Sequence, residues 1–332
     1  MGLIKAVTGA FGGVMSDQYK EFFYCDSLDK EVLVAKGVKR TGSRSQNKGQ
    51  DNIISNGSAI AVADGQCMLI VEQGEIVEVC AEPGEFIWDA SSEPSIFTGK
   101  LSESILESFK TFGRRISFGG DTGRDQRVYY FNVKEIVDNK FGTQNPIAFR
   151  VVDSKIGLDI DVTVRCNGSY SYHIVDPILF YKNVTGNVSS AYYRSEIDAQ
   201  MKSELVHHLA PAFAIISEQE VRPNQLMAKG PEIAAALRQQ LSGIWSELRG
   251  IEIVSLALNS VSIPPEDENL IKQAQRAGMM RDPSLAAANI AAAQADAMRS
   301  AAANESGAMT GFLGMGMAGQ AGGLNNAELF KL

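Results

Sequence analysis

Cysteine, histidine and long apolar runs are scarce in this chain, and each scarcity removes a class of function. Only four cysteines occur in 332 residues, Cys25, Cys67, Cys80 and Cys166, and no two lie within three residues of each other. A C-x-x-C zinc or redox spacing is therefore absent. His173, His207 and His208 are the only histidines, and none stands at metal-site spacing from a cysteine. The reading is four reduced thiols in a cytosolic protein with no metal ligands. Positive charge is short as well: 31 Lys and Arg against 39 Asp and Glu leave a net charge of −8. Nucleic acid is excluded as a general partner, because phosphate binding needs a cationic surface. No apolar run approaches the roughly 18 residues that a spanning helix needs.

The opening "MGLIKAVTGAFGG" lacks the continuous apolar core of a secretory signal, since Lys5, Thr8, Gly9 and Gly12-Gly13 interrupt it. Myristoylation wants Ser or Thr at the sixth position, where this chain has Ala6. Without a secretory route, the N-x-[ST] triplets at Asn167, Asn183 and Asn187 are chance matches. Catalytic motifs are missing too. The glycine-rich "FGGDTGRDQR" at 118–127 has no Lys-Ser/Thr after it and precedes a β block, so it is a loop and no phosphate cradle. His173 and the pair Asp159/Asp161 fall on the wet side of strands. No catalytic residue and no cofactor is expected.

What the chain does have begins at its first residues. On a wheel at about 100° per residue, Leu3, Ile4, Val7, Phe11 and Val14 share one arc, opposite Lys5, Thr8, Gly9 and Gly12. This predicts an amphipathic helix that docks on a membrane or a partner, or packs on the chain's own body. Its glycines each cost about 0.8–1 kcal/mol, so it needs an apolar partner to form. A second candidate contact is basic: Lys36, Lys39, Arg40, Arg44 and Lys48 crowd a Ser/Gly-rich stretch. It is either a solvated loop or a contact for an anionic surface.

From Ser58 onward "AIAV", "CMLIV", "IVEVC" and "EPGEF" alternate with glycine turns, the pattern of β-hairpins. Unbroken apolarity over 67–71 predicts a strand buried on both faces. A second block holds "RVYYFNV", "IAFRVV" and "LDIDVTVRC", the last with strict period-two alternation. Asn167-Gly168 then reads as a type I′ turn into "SYSYHIV". Ser195 is the expected cap of a helix whose face is Ile197, Met201, Leu205, Leu209 and Phe213, with Pro211 expected to bend or break it. Gly230-Pro231 opens a second helix, Gly250 ends it, and "IEIVSLALNSVSI" reads as one long strand. Pro264-Pro265 and three acids open a third helix. An Ala-rich helix after Asp282-Pro283 is read as a self-association element or a lone exposed helix, and a Gly/Met-rich tail follows.

This order resembles the SPFH (stomatin/prohibitin/flotillin/HflK-C, or band 7) superfamily. The opening hairpin matches at Gly65, Gly74, Pro83 and Gly84, and the closing stretch "WSELRGIEIVSLALNSVSIPPEDENLIKQAQR" runs from Trp245 to Arg276. "QYKEFFYCDSLDKEVLVAKG", "DNIISNGSAIAVADGQCMLIVEQG" and "GLDIDVTVRCNGSYSYHIVDP" are similar to the bacterial virion core protein-like subfamily. Members of that subfamily commonly end in a zinc ribbon, a pattern not found in "NAELFKL", so no metal role is carried over. The resemblance implies an α+β fold: an SPFH domain over 58–263, preceded by a docking helix at 1–20 and a strand with basic loop at 21–57. A self-association segment at 264–304 and a flexible tail at 305–332 complete it. It further implies a non-enzymatic scaffold, peripheral on the inner face of the cell membrane. Its expected partners are copies of itself, membrane lipids or a membrane-anchored protein, and a protein of a phage-shock-type stress system. A soluble adaptor docking a protein partner without lipid contact is the alternative.

Overall fold

Short apolar strands separated by glycine turns pair into sheets because each buries only one or two side chains per face and cannot stand alone. The computed structural model describes residues 2–5, 19–42, 45, 51–89, 96–97, 105, 125–154, 157–279 and 283–302. The chain forms two compact units, the first made of Met1–Asn145, Cys166–Ile215 and Leu226–Val261, the second of Pro146–Arg165, Ile216–Gln225 and Ser262–Leu332.

In the first unit, β1 (Gly2–Lys5), β8 (Gly84–Asp89), β5 (Ala59–Val62), β2 (Glu21–Tyr24) and β4 (Val38–Thr41) form a sheet in that order. A six-stranded sheet follows the order β14 (Ala191–Tyr193), β3 (Val32–Lys36), β10 (Gln126–Asn132), β6 (Gln66–Glu72), β7 (Glu75–Cys80), β9 (Ile96–Phe97). Strand β6 is buried at every position, as its unbroken apolar run predicts. It turns into β7 at Gln73-Gly74, both with positive φ, 50° and 87°. Leu3, Phe23, Ile60, Phe86 and Trp88 from the first sheet join Met68, Ile70 and Tyr130 from the second in one apolar cluster. The inner face of the five-stranded sheet is thus committed to the core.

The opening stretch differs from expectation. Residues 2–5 are a strand, antiparallel to β8 with Leu3 opposite Trp88, and not the first turn of a helix. A strand sends Leu3 and Ile4 to opposite faces, whereas a helix would keep them on one stripe. The unpaired edge of β8 and a core slot for Leu3 outweigh a helix already weakened by glycine. Val7, Phe11 and Val14 lie outside the described residues.

Asn167-Gly168 also departs from the sequence reading. No hairpin forms there: β13 runs unbroken from Leu158 to Ile174 and pairs with β11 (Ile136–Gly142) over its later half. The glycine serves a neighbour instead. A Cβ at Gly168 would lie 2.1 Å from the carbonyl oxygen of Ala257 on β15 (Ile251–Ser262), which pairs with β13. Beyond the short helix α1 (Pro177–Phe180), α2 spans Asp198–Ser217 with its expected apolar face buried. Ser195 does not cap it. It sits in a 3₁₀ turn, Arg194–Glu196, closed by the Tyr193 N–H donating to Glu196 Oε1 at 2.8 Å. Pro211 does not break α2 either; its ring is on the exposed side and the helix runs on to Ser217. Helix α3 (Gly230–Leu241) starts at Gly230-Pro231, and the π-helical turn Trp245–Arg249 ends at Gly250 with φ 67°.

In the second unit β12 (Ile147–Asp153) pairs with Leu158–Val164 of β13. Helix α4 (Pro265–Met279) is fixed at its acidic first turn, where Asp267 Oδ2 accepts from the N–H and hydroxyl of Thr163, both at 2.7 Å. Helix α5 (Pro283–Ala302) carries the Ala-rich stretch and leaves Ile290 and Met298 exposed.

Candidate membrane-contact surface

Period-two geometry splits both sequence-predicted contact groups. On β1, Leu3 enters the core at 4% exposure while Ile4 stands out at 51%. On β4, Lys39 points inward and its neighbour Arg40 outward. Following the register across the sheet, Ile4 lies opposite Ile87, Ile87 opposite Ala59, Ala59 beside Phe22, and Phe22 opposite Arg40. One row therefore crosses all five strands on the side turned away from the core, a width of about 19 Å at about 4.8 Å per strand. It is exposed at its two ends, Ile4 and Arg40, half-buried at Ile87 and Phe22, and fully buried at Ala59 in its centre. Alongside it, Tyr24 lies opposite Val38, itself 46% exposed. The Phe22 and Tyr24 rings are 5.7 Å apart, and the Arg40 guanidinium lies 5.1 Å from the Tyr24 centroid. The Arg40 end of the row thus carries an amphipathic pair, Tyr24 of β2 with Arg40 of β4. By the pleat, Glu85 and Asp89 of β8 belong to the same side, both half-buried, with Glu85 Oε1 shut off from solvent.

The basic cluster does not act as one patch. Lys36 is on the six-stranded sheet, its ammonium donating to Asn52 Oδ1 at 3.1 Å. Lys39 is removed from any surface role. Its side chain is 7% exposed, with Nζ 3.4 Å from Glu21 Oε1 and donating to the Ile53 carbonyl at 3.1 Å. Glu21 is fully buried and also accepts from the Ser45, Ser55 and Ser58 hydroxyls and the Ser55 N–H, at 2.8–3.1 Å. Burial pushes its pKa up, but the Ser55 bonds, Lys39 and Ser45 together hold it below the usual carboxylate range. Arg44 and Lys48 lie outside the described residues.

The groups weighed for chemistry are engaged elsewhere. Arg150 donates to both oxygens of Asp159 at 2.7 and 2.6 Å, and His173 Nε2 is 3.7 Å from Glu252. Most of the glycine-rich loop, 118–124, is outside the described residues, and Arg127 belongs to β10. Burial pushes the thiols of Cys25 and Cys166 up to about 11 and that of Cys80 to about 12, with Cys67 raised as well. These are protonated, unreactive thiols at neutral pH. Among the described residues, no three His, Cys, Asp or Glu are grouped to hold a metal, and no helix is long and apolar enough to cross a membrane.

Sequence reasoning missed Phe22, Tyr24, Val38 and Ile87 as members of the surface. The alternation in "EFFY" and "GEFIWD" carries the signal, but which strands adjoin is decided by non-local pairing. Residues 46–282, more than two thirds of the chain, match the family model described as SPFH domain-Band 7 family. No curated protein matches the chain.

Proposed function

Because this chain belongs to the SPFH domain-Band 7 family, a family of membrane-associated scaffolds without catalytic activity, we propose that it is a peripheral scaffold whose outer sheet face meets the bilayer. In this reading the chain self-assembles through α4 and α5 and recruits partner proteins to the inner face of the cell membrane during a phage-shock-type stress response. The observation that supports it is that Ile4 and Arg40, two separately predicted contact residues, both stand exposed on the same side of one sheet, at its opposite edges. Moving a large apolar side chain out of water gains about 1.5–3 kcal/mol when burial is complete. A few half-exposed side chains therefore hold one copy weakly. Several copies in one assembly bind far more tightly, because each engaged face raises the effective concentration of the next. Self-assembly and membrane attachment are thus parts of one mechanism.

The test is flotation with anionic phospholipid vesicles, comparing the full chain with Ile4→Glu and Phe22→Glu. Both variants alter the outer face and are expected to stay in the dense fraction while keeping the far-UV spectrum of the parent. Flotation of both variants at the parental level sinks the sheet-face reading. Flotation that requires an added membrane protein would instead favour an adaptor.

A further inference from the structure

Among the buried side-chain polar atoms of the first unit that have no hydrogen-bond partner among the described residues are Tyr170 Oη, Tyr172 Oη and Asp198 Oδ1. Tyr170 and Tyr172 are 2% and 0% exposed. They stand two residues apart on β13, hence on one face, with ring centroids 6.2 Å apart. Asp198 is the first residue of α2, and its other oxygen, Oδ2, is 3.5 Å from Lys202 Nζ. The charge of Asp198 reaches both phenols, raising the pKa of each beyond the effect of burial.

Orphaned hydroxyls at this depth are rare in folded proteins, and sites holding two or three of them are where ordered water resides. We infer that a resident water binds Tyr170 Oη, Tyr172 Oη and Asp198 Oδ1 together, tying β13 to the first turn of α2. The donor inventory balances. Each phenol can donate to the water oxygen, and the water donates one hydrogen to Asp198, which only accepts. A monovalent cation could use the same oxygens but is disfavoured by Arg194. That guanidinium lies within electrostatic reach of both phenols and is fixed by the Val137 carbonyl and by Glu31 Oε1, at 3.1 and 2.8 Å. The bridge makes β13 and α2 depend on one another through a contact that neither side chain makes directly.

The sign of a conservative substitution tests it. If the water is present, Tyr170→Phe or Tyr172→Phe leaves it short of a partner, so each variant lowers the urea midpoint of the full chain. The double variant then loses less than the sum of the two, because the second change acts on a site already broken. If the hydroxyls are dry and unpaired, either variant leaves the midpoint unchanged or raises it, and the inference fails. A crystal structure separates a water from a direct phenol–carboxylate bond: a peak about 2.5–3.0 Å from all three oxygens is expected, and its absence overturns the inference. Equal midpoints in sodium, potassium and choline chloride are expected. A rise specific to one metal ion overturns water in favour of a cation.

Discussion

Glu204 collects four donors where α2 meets the turn after α3. Arg249 donates to both its oxygens at 2.6 and 2.8 Å, Trp245 Nε1 donates at 2.7 Å and Gln200 Nε2 at 2.6 Å. Burial pushes the carboxyl pKa up, but the Arg249, Gln200 and Trp245 bonds prevail and bring it down to about 2. A folded pKa below the unfolded one means stability that is present above about pH 4.5 and lost as pH falls toward 2. Glu204→Gln mimics the protonated form. It is expected to cost about 2–3 kcal/mol at pH 7 and to flatten the acid limb of a urea-midpoint profile measured from pH 7 to 2. Neighbouring residues on β4 should separate stability from surface function in the same way. Lys39→Met strands the buried Glu21 charge and is expected to cost about 2–4 kcal/mol by urea unfolding. Arg40→Ala should stay within about 0.5 kcal/mol of the parent while weakening vesicle flotation.

At the scale of elements, Gly168 exposes what local patterns can and cannot convey. Its Cβ would meet backbone, the Ala257 carbonyl, which cannot swing aside as a flexible side chain would. Gly168→Ala is therefore expected to cost about 3 kcal/mol or more, seen as a lowered thermal midpoint with loss of β signal in the far-UV spectrum. Asn-Gly after an alternating run has the same local signature whether it makes a hairpin turn or admits a passing strand. Only the position of β15, ninety residues on in sequence, distinguishes the two. Elements set by local chemistry were legible: the unbroken run of β6, the Gln73-Gly74 turn, the Gly230-Pro231 start, and the four-residue spacing of Ile197 to Phe213. Pro211 does not break α2 because a proline ring on the exposed side of a well-buried helix is tolerated when packing on the other side exceeds its cost. The site was half legible. Ile4 stood out by periodicity and Arg40 by charge, but their placement on the same side of one sheet depends on the β1-β8-β5-β2-β4 order, which no local window contains.

For the whole molecule the open choice is between a preformed sheet face and an amino-terminal helix that must leave the sheet to reach the bilayer. The two are mutually exclusive at residues 3 and 4. A helix needs Leu3 and Ile4 on one stripe, while β1 keeps Leu3 in the core and Ile4 outside. A disulfide can hold the strand in place. Ile4 and Ile87 are direct antiparallel partners on the outer face, and such partners sit about 4.5–5.5 Å apart at Cα, within the span a disulfide accepts. The four native thiols are buried or half-buried and raised in pKa, so an exposed Ile4→Cys/Ile87→Cys pair should oxidise selectively. Comparing oxidised and reduced forms of this one variant cancels the effect of the substitutions on apolarity. If the sheet face makes the contact, both forms float equally with anionic vesicles, and the oxidised form floats no worse after light scattering confirms equal assembly. If only the reduced form floats, β1 must unzip before the membrane is bound. The contact would then belong to the released amino-terminal segment, and the five-stranded sheet would act as its storage site.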